Sequence, residues 1–81
     1  MSYTPHELEE EFPEHSSTID ALKETRPHFA RLVDDYHQIN LEVYRAQENI
    51  APTDDQHENE MRKKRLVLKD EIWRILSENT T

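Results

Sequence analysis

From Phe29 onward, apolar side chains recur at Phe29, Leu32, Tyr36, Ile39, Val43, Ala46 and Ile50, in alternating steps of three and four residues. That alternation marks a heptad seam, an apolar stripe along one side of an α-helix that needs a facing helix to cover it. A second stripe follows at Met61, Arg65, Leu68, Ile72 and Ile75, and between the two lies Ala51-Pro52-Thr53. Thr53 and Gln56 stand at capping-box spacing at the head of this last helix, which the pattern carries to about Ser77. A connection so short predicts antiparallel neighbours. If the chain folds back at Pro52, facing positions have residue numbers summing to about 104, which sets Val43 against Met61, Tyr36 against Leu68, Leu32 against Ile72 and Phe29 against Ile75. The same count sets Ile39 against Arg65, Asp35 against Lys69 and Glu42 against Arg62. Each seam helix, at about 24 residues and 1.5 Å per residue, spans roughly 36 Å, so an elongated molecule is expected.

Ahead of the hairpin the pattern is shorter and interrupted by proline. Thr4, Pro5 and Glu7 fit an N-cap, a first-turn proline and a reciprocal capping glutamate, predicting a short helix over about 5–11 that carries Leu8 and stops at Phe12, before Pro13. Ser16 or Ser17 can cap a further segment with Ile19 and Leu22, and Pro27 marks either a kink or a fresh start. Residues 1–26 thus read as an N-terminal arm, rich in carboxylates (Glu7, Glu9, Glu10, Glu11, Glu14) and for that reason expected to be mobile; the alternative is docking on the hairpin, with Leu8, Phe12, Ile19 and Leu22 as the candidates to cover Leu66 and Trp73. Residues 27–78 read as the hairpin, with its turn near 51–53. The fold class predicted is all-α: an antiparallel, coiled-coil-like α-helical hairpin with a short N-terminal helical arm.

Composition narrows the function. Glycine and cysteine are both absent among the 81 residues, which excludes phosphate-cradling glycine loops, disulfides and thiolate metal sites. Hydrophobic residues make up only 33%, so a large core with a sheltered catalytic cleft is not expected. No run approaches the roughly 18 apolar residues of a membrane helix, and no basic-then-apolar leader opens the chain, so the expectation is a cytoplasmic protein that does not contact a membrane.

Some side chains lie off the seams and need another explanation. Leu66 and Trp73, seven residues apart, point about 120° from the last helix's stripe, and Tyr44 raises the same question on the long helix. These three form a candidate partner face. The cluster Arg62, Lys63, Lys64 and Arg65 is a candidate polyanion contact, but it wraps around the helix and meets Glu58 and Glu60 at i,i+4 spacing, and the net charge of −8 opposes nucleic acid. Asp34 with His37, Asp54 with His57, and Glu11 with His15 have helical spacing that could suit a metal. In so acidic a chain such pairs arise by chance, and the seam turns Asp34 and His37 outward, so no metal or cofactor is expected.

The residues also carry a likeness. Glu11-Phe12-Pro13-Glu14, Leu22-Lys23, His28-Phe29, Leu32, Tyr36, Arg45 and above all the run from Arg62 through Leu66-Val67-Leu68-Lys69-Asp70-Glu71 to Ile72 resemble the YdcH-like family of small bacterial proteins of unknown function. The resemblance covers about Glu11 to Leu76. It implies a small cytoplasmic helical hairpin without established enzymatic activity, and it supplies no function. Taken with the residue reading, the expectation is a non-enzymatic module that binds itself, as a dimer, or another protein, with no small-molecule substrate. A nucleic-acid-associated accessory role through Arg62–Arg65 is the alternative.

Overall fold

The computed structural model describes residues 5–48 and 54–79. Four α-helices follow one another: α1 (Leu8–Glu11), α2 (Ser16–Thr25), α3 (Pro27–Gln47) and α4 (Asp55–Asn79), with a single 3-10 turn, Pro13–His15, between the first two. Among the described residues there is no strand, and the architecture is the all-α hairpin the stripes predict, α3 packed along α4. The described part measures 41 × 27 × 19 Å.

The prolines set the breaks. Arg26 precedes Pro27, whose ring disfavours helical backbone in the residue before it, and Arg26 is extended at φ −128°, ψ 103°. Pro27 therefore starts a fresh helix and does not kink a continuous one. Pro13 acts in the same way, ending α1 at Glu11 and opening the 3-10 turn. The first helix is shorter than the spacing of Pro5 and Glu7 suggests: it begins at Leu8, with Glu7 as an N-cap whose side chain makes no capping bond. Neither Ser16 nor Ser17 caps α2, whose N-cap is His15. On α4 the cap is Asp54, whose Oδ1 accepts the His57 N–H at 2.7 Å. The expected caps Thr4 and Thr53, the seam residue Ile50 and the turn at 51–53 lie outside the described residues.

The core divides into two clusters. Ile39, Val43 and Met61 form the smaller, with Ala46 and Leu68 packed on it. The larger joins Phe29, Tyr36, Ile72 and Leu76 to Leu8, Ile19 and Leu22, with Leu32, Leu68 and Ile75 partly buried around it. Leu76, absent from the predicted stripe, is fully buried, while its predicted neighbour Ile75 is only half-buried. Two effects account for this. A straight helix drifts by about 20° per heptad from a 3.5-residue repeat, so a stripe chosen at Met61 is displaced by the last turns. In addition α2 packs on both seam helices, so the far end is covered from a third side.

The charged register departs from simple counting. Lys69 pairs with Glu11 at 3.2 Å and not with Asp35, and Arg62 pairs with Glu58 at 2.7 Å and not with Glu42. Long side chains at a seam's edge reach whichever carboxylate costs least to desolvate, and Glu58 lies on the same helix one turn away.

Leu76→Ala is expected to cost about 2–5 kcal/mol of unfolding free energy, because it opens a cavity where nothing can collapse to fill it. Val67→Ala, on the solvent side of the same helix, should change stability by less than about 0.5 kcal/mol. Urea denaturation of the two variants checks the pair.

Candidate interaction surface

The N-terminal arm is docked, contrary to the mobile segment expected from its charge. Leu8 is buried in the larger cluster. Around it a polar network ties residues 5–11 to both hairpin helices. Asn40 is fully buried, and its Nδ2 donates to the Pro5 carbonyl at 2.9 Å and to Glu7 Oε1 at 3.2 Å. Its Oδ1 accepts from Arg65 Nη1 at 3.0 Å. Tyr36 Oη donates to the His6 carbonyl at 2.6 Å. Presenting two successive carbonyls to these donors goes with a left-handed backbone at His6, φ 65°, a conformation that costs a non-glycine residue roughly 1–2 kcal/mol and persists here because both carbonyls are held. Among the described residues no buried side-chain polar atom lacks a partner.

Two of the arm's carboxylates, Glu7 and Glu11, land on polar partners. Glu7 Oε2 meets His37 Nδ1 at 3.1 Å, and Glu11 Oε1 meets both Lys69 Nζ at 3.2 Å and His6 Nδ1 at 3.3 Å. Partial burial pushes the Glu11 carboxyl up, but hydrogen bonds and charge from Lys69 and His6 outweigh it, and its pKa is lowered. The Tyr36 phenol is pushed up to about 12, first by burial and then by the charge of Glu11, with Arg65 opposing.

Farther along, Phe12 stacks on Trp73, ring centroids 5.5 Å apart at 13°, and His15 tilts against the same indole at 5.5 Å. These rings, with Lys69 and Asp70, line an open groove of about 420 Å³. Trp73 nevertheless remains 45% exposed, Leu66 55% and Val67 66%, and these are the large hydrophobics left exposed among the described residues. Tyr44, grouped with them from sequence, is half-buried on α3. The predicted seam side chains are placed inward: Phe29, Tyr36, Ile39, Val43, Met61 and Ile72 are buried, and Leu32, Leu68 and Ile75 are half-buried.

The basic cluster does not form a common surface. Arg62 is held by Glu58 and Arg65 turns inward to Asn40, which leaves Lys63 and Lys64 as its exposed members without an ion pair. The histidine–carboxylate pairs considered for a metal are likewise dispersed: His37 goes to Glu7, Glu11 to Lys69 and His6, and Asp54 caps the backbone of α4. Among the described residues, no three potential metal ligands come together.

A family model described as "Protein of unknown function (DUF465)" matches residues 29–76, the greater part of the α3–α4 hairpin. The chain belongs to this family. Comparison with curated proteins and with solved structures gives no match. The matched DUF465 segment contains Asn40, Arg65 and the exposed face of α4, whereas the arm and α2 precede it. No helix among the described residues is long and apolar enough to cross a membrane.

Asn40 and Leu76 are the residues that stripe counting misses. The available signal for Asn40 was Arg65: a guanidinium at a seam position needs a polar acceptor across the interface, and Asn40 is the amide beside the counted position.

Asn40→Leu is expected to lower stability by about 1–3 kcal/mol by stranding the Pro5 carbonyl and Arg65, and Tyr36→Phe by about 1 kcal/mol. The double variant should lose less than the sum, since both side chains hold one segment. Urea titration, with proteolysis of the bonds before Pro13 as a readout of arm release, checks this.

Two pH effects follow from the docking network. Tyr36 has a folded pKa above its ordinary 10, so its contribution is complete below pH 10 and is lost as pH rises toward about 12. Glu11 is depressed from its ordinary 4.5, so its contribution is complete above that value and is lost as pH falls through the lowered pKa. Ultraviolet titration of the tyrosines and melting curves at acid pH, with Lys69→Met as the comparison, report the two.

Proposed function

We propose that this DUF465 protein is a non-enzymatic interaction module that binds protein through the outward face of α4. The observation that carries the reading is the row Leu66, Val67 and Trp73, left exposed where the other large hydrophobics among the described residues are buried or half-buried. A chain with only 33% hydrophobic residues has few to spare, and three of them exposed together on one helix form an apolar patch of the kind that marks an interaction surface. The groove beside Trp73 has one cation, Lys69, already engaged by Glu11, and it contains no nucleophile paired with a base, so it favours a docking role over catalysis.

The nucleic-acid alternative is disfavoured by the same geometry. Of the four cations it would use, two are spent on Glu58 and Asn40, and the remaining two sit on a chain of net charge −8.

A photo-activated cross-linking residue placed at Val67 and expressed in the native cell tests the reading. The expected outcome is a discrete protein adduct, abolished by Leu66→Asp at unchanged helicity. An adduct with nucleic acid alone, or none with protein, overturns it.

A further inference from the structure

The face just described carries a charge order that selects its occupant. At 100° per residue, Lys63 and Asp70 point within about 20° of each other on α4, with Leu66 on one side of that line and Val67 on the other. Read along that line of the helix the order is cation, two apolar residues, anion, and each charge stands three positions from the nearer apolar one. Reversed, it is its own complement. We infer that the occupant of this face is a second copy of the chain, its α4 antiparallel to the first, with a two-fold axis passing between Leu66 and Val67.

This arrangement sets Leu66 beside Leu66 and Val67 beside Val67 at the axis, and places each Lys63 opposite Asp70 of the other copy, twice over. A parallel pairing would bring Lys63 to Lys63 and Asp70 to Asp70, an arrangement opposed by like-charge repulsion. Trp73 falls along the same edge as Leu66, where the antiparallel register brings it beside Asn59 and Arg62 of the second copy.

Two observations support this occupant. The cations flanking the face, Arg62, Lys69 and Arg74, are each held by a carboxylate of their own chain, whereas among the described residues neither Lys63 nor Asp70 has an ion-pair partner, although both are exposed. Among the described residues Lys64 and Glu60 are unpaired as well, but Lys63 and Asp70 are the two unpaired charges that lie on the line between Leu66 and Val67, where the two-fold register would join them. The second observation is the distribution of charge. Two copies of net charge −8 repel, so an interface between them must use a part of the surface that escapes the excess of carboxylates, and residues 62–74 of α4 hold six of the chain's 10 basic residues, Arg65 among them turned inward, against the carboxylates Asp70 and Glu71.

The inference rests on the reading that this face binds protein, and charge exchange separates the two. Sedimentation equilibrium of the full chain at physiological salt should give a dimer. K63E and D70K, both at exposed positions, should each weaken it by about tenfold or more at unchanged helicity, because each substitution sets like charges together at two symmetric places. The double variant K63E/D70K should return to within about threefold of wild type, because it restores both pairs with their signs exchanged. A dimer indifferent to the single changes, or one that the double change does not recover, overturns the antiparallel register and leaves protein binding through α4 standing. A wild-type chain that stays monomeric at millimolar concentration overturns the second copy as occupant. In that case the adduct at Val67 decides the broader reading: a different protein sustains it, and no protein removes it.

Discussion

A buried amide governs how the rest of this molecule is arranged. Asn40 lies at the interface of α3 and α4 with no solvent exposure, where an unpaired polar group would cost a few kcal/mol. Each end of its amide has to be met. Arg65 supplies the donor from α4, and the Pro5 carbonyl and Glu7 supply the acceptors from the arm. The three segments are thereby fixed relative to one another: α4 cannot slide along α3 without withdrawing Arg65, and the arm cannot leave without exposing the amide nitrogen. Leu8 enters the core between these anchors, and that position in turn brings Phe12 onto Trp73.

The charge distribution works with this constraint. The arm carries five carboxylates within eight residues, and in isolation they would repel one another and favour an extended segment. In the folded chain the two that point inward, Glu7 and Glu11, face His37, His6 and Lys69. The electrostatics of the arm are thus divided by side: the inner carboxylates are matched, while Glu9 and Glu14 remain in water. An isolated exposed ion pair contributes at most about 1 kcal/mol, so the arm is held chiefly by Leu8 and by the bonds to Tyr36 and Asn40, and its charges select the place at which it lands.

The helices were legible in the sequence because the apolar period is long and regular. Phe29 through Val43 repeat without interruption and Met61 through Ile72 with Arg65 as the one polar member, and the prolines at 13 and 27 mark the boundaries by a steric rule that needs no tertiary context. The arm was less legible, since four helical residues have too little periodicity to reveal a buried face, and the run of glutamates pointed toward solvent. Its docking depends on the amide, the phenol and Arg65 converging from positions that a one-dimensional pattern does not bring together. Leu76 was hidden for a related reason: its burial comes from α2, a third wall that two-helix counting leaves out. The exposed face of α4 was half visible, with Leu66 and Trp73 apparent as off-seam residues and Val67 passed over because it follows Leu66 directly.

The docking of the arm has a kinetic side. Its bonds join residues separated by 30 to 58 positions in the chain, whereas most of the hairpin's helical bonds are local. Closing so wide a loop has an entropic cost that is met before any arm contact forms, and that cost falls once α2 has settled on the hairpin and brought residue 16 alongside α4. The order of assembly is therefore directional: hairpin, then α2, then arm. Run in reverse, the same order makes release of the arm, with both long helices still paired, the opening that breaks the fewest helix–helix contacts, and it would uncover the slot that Leu8 fills.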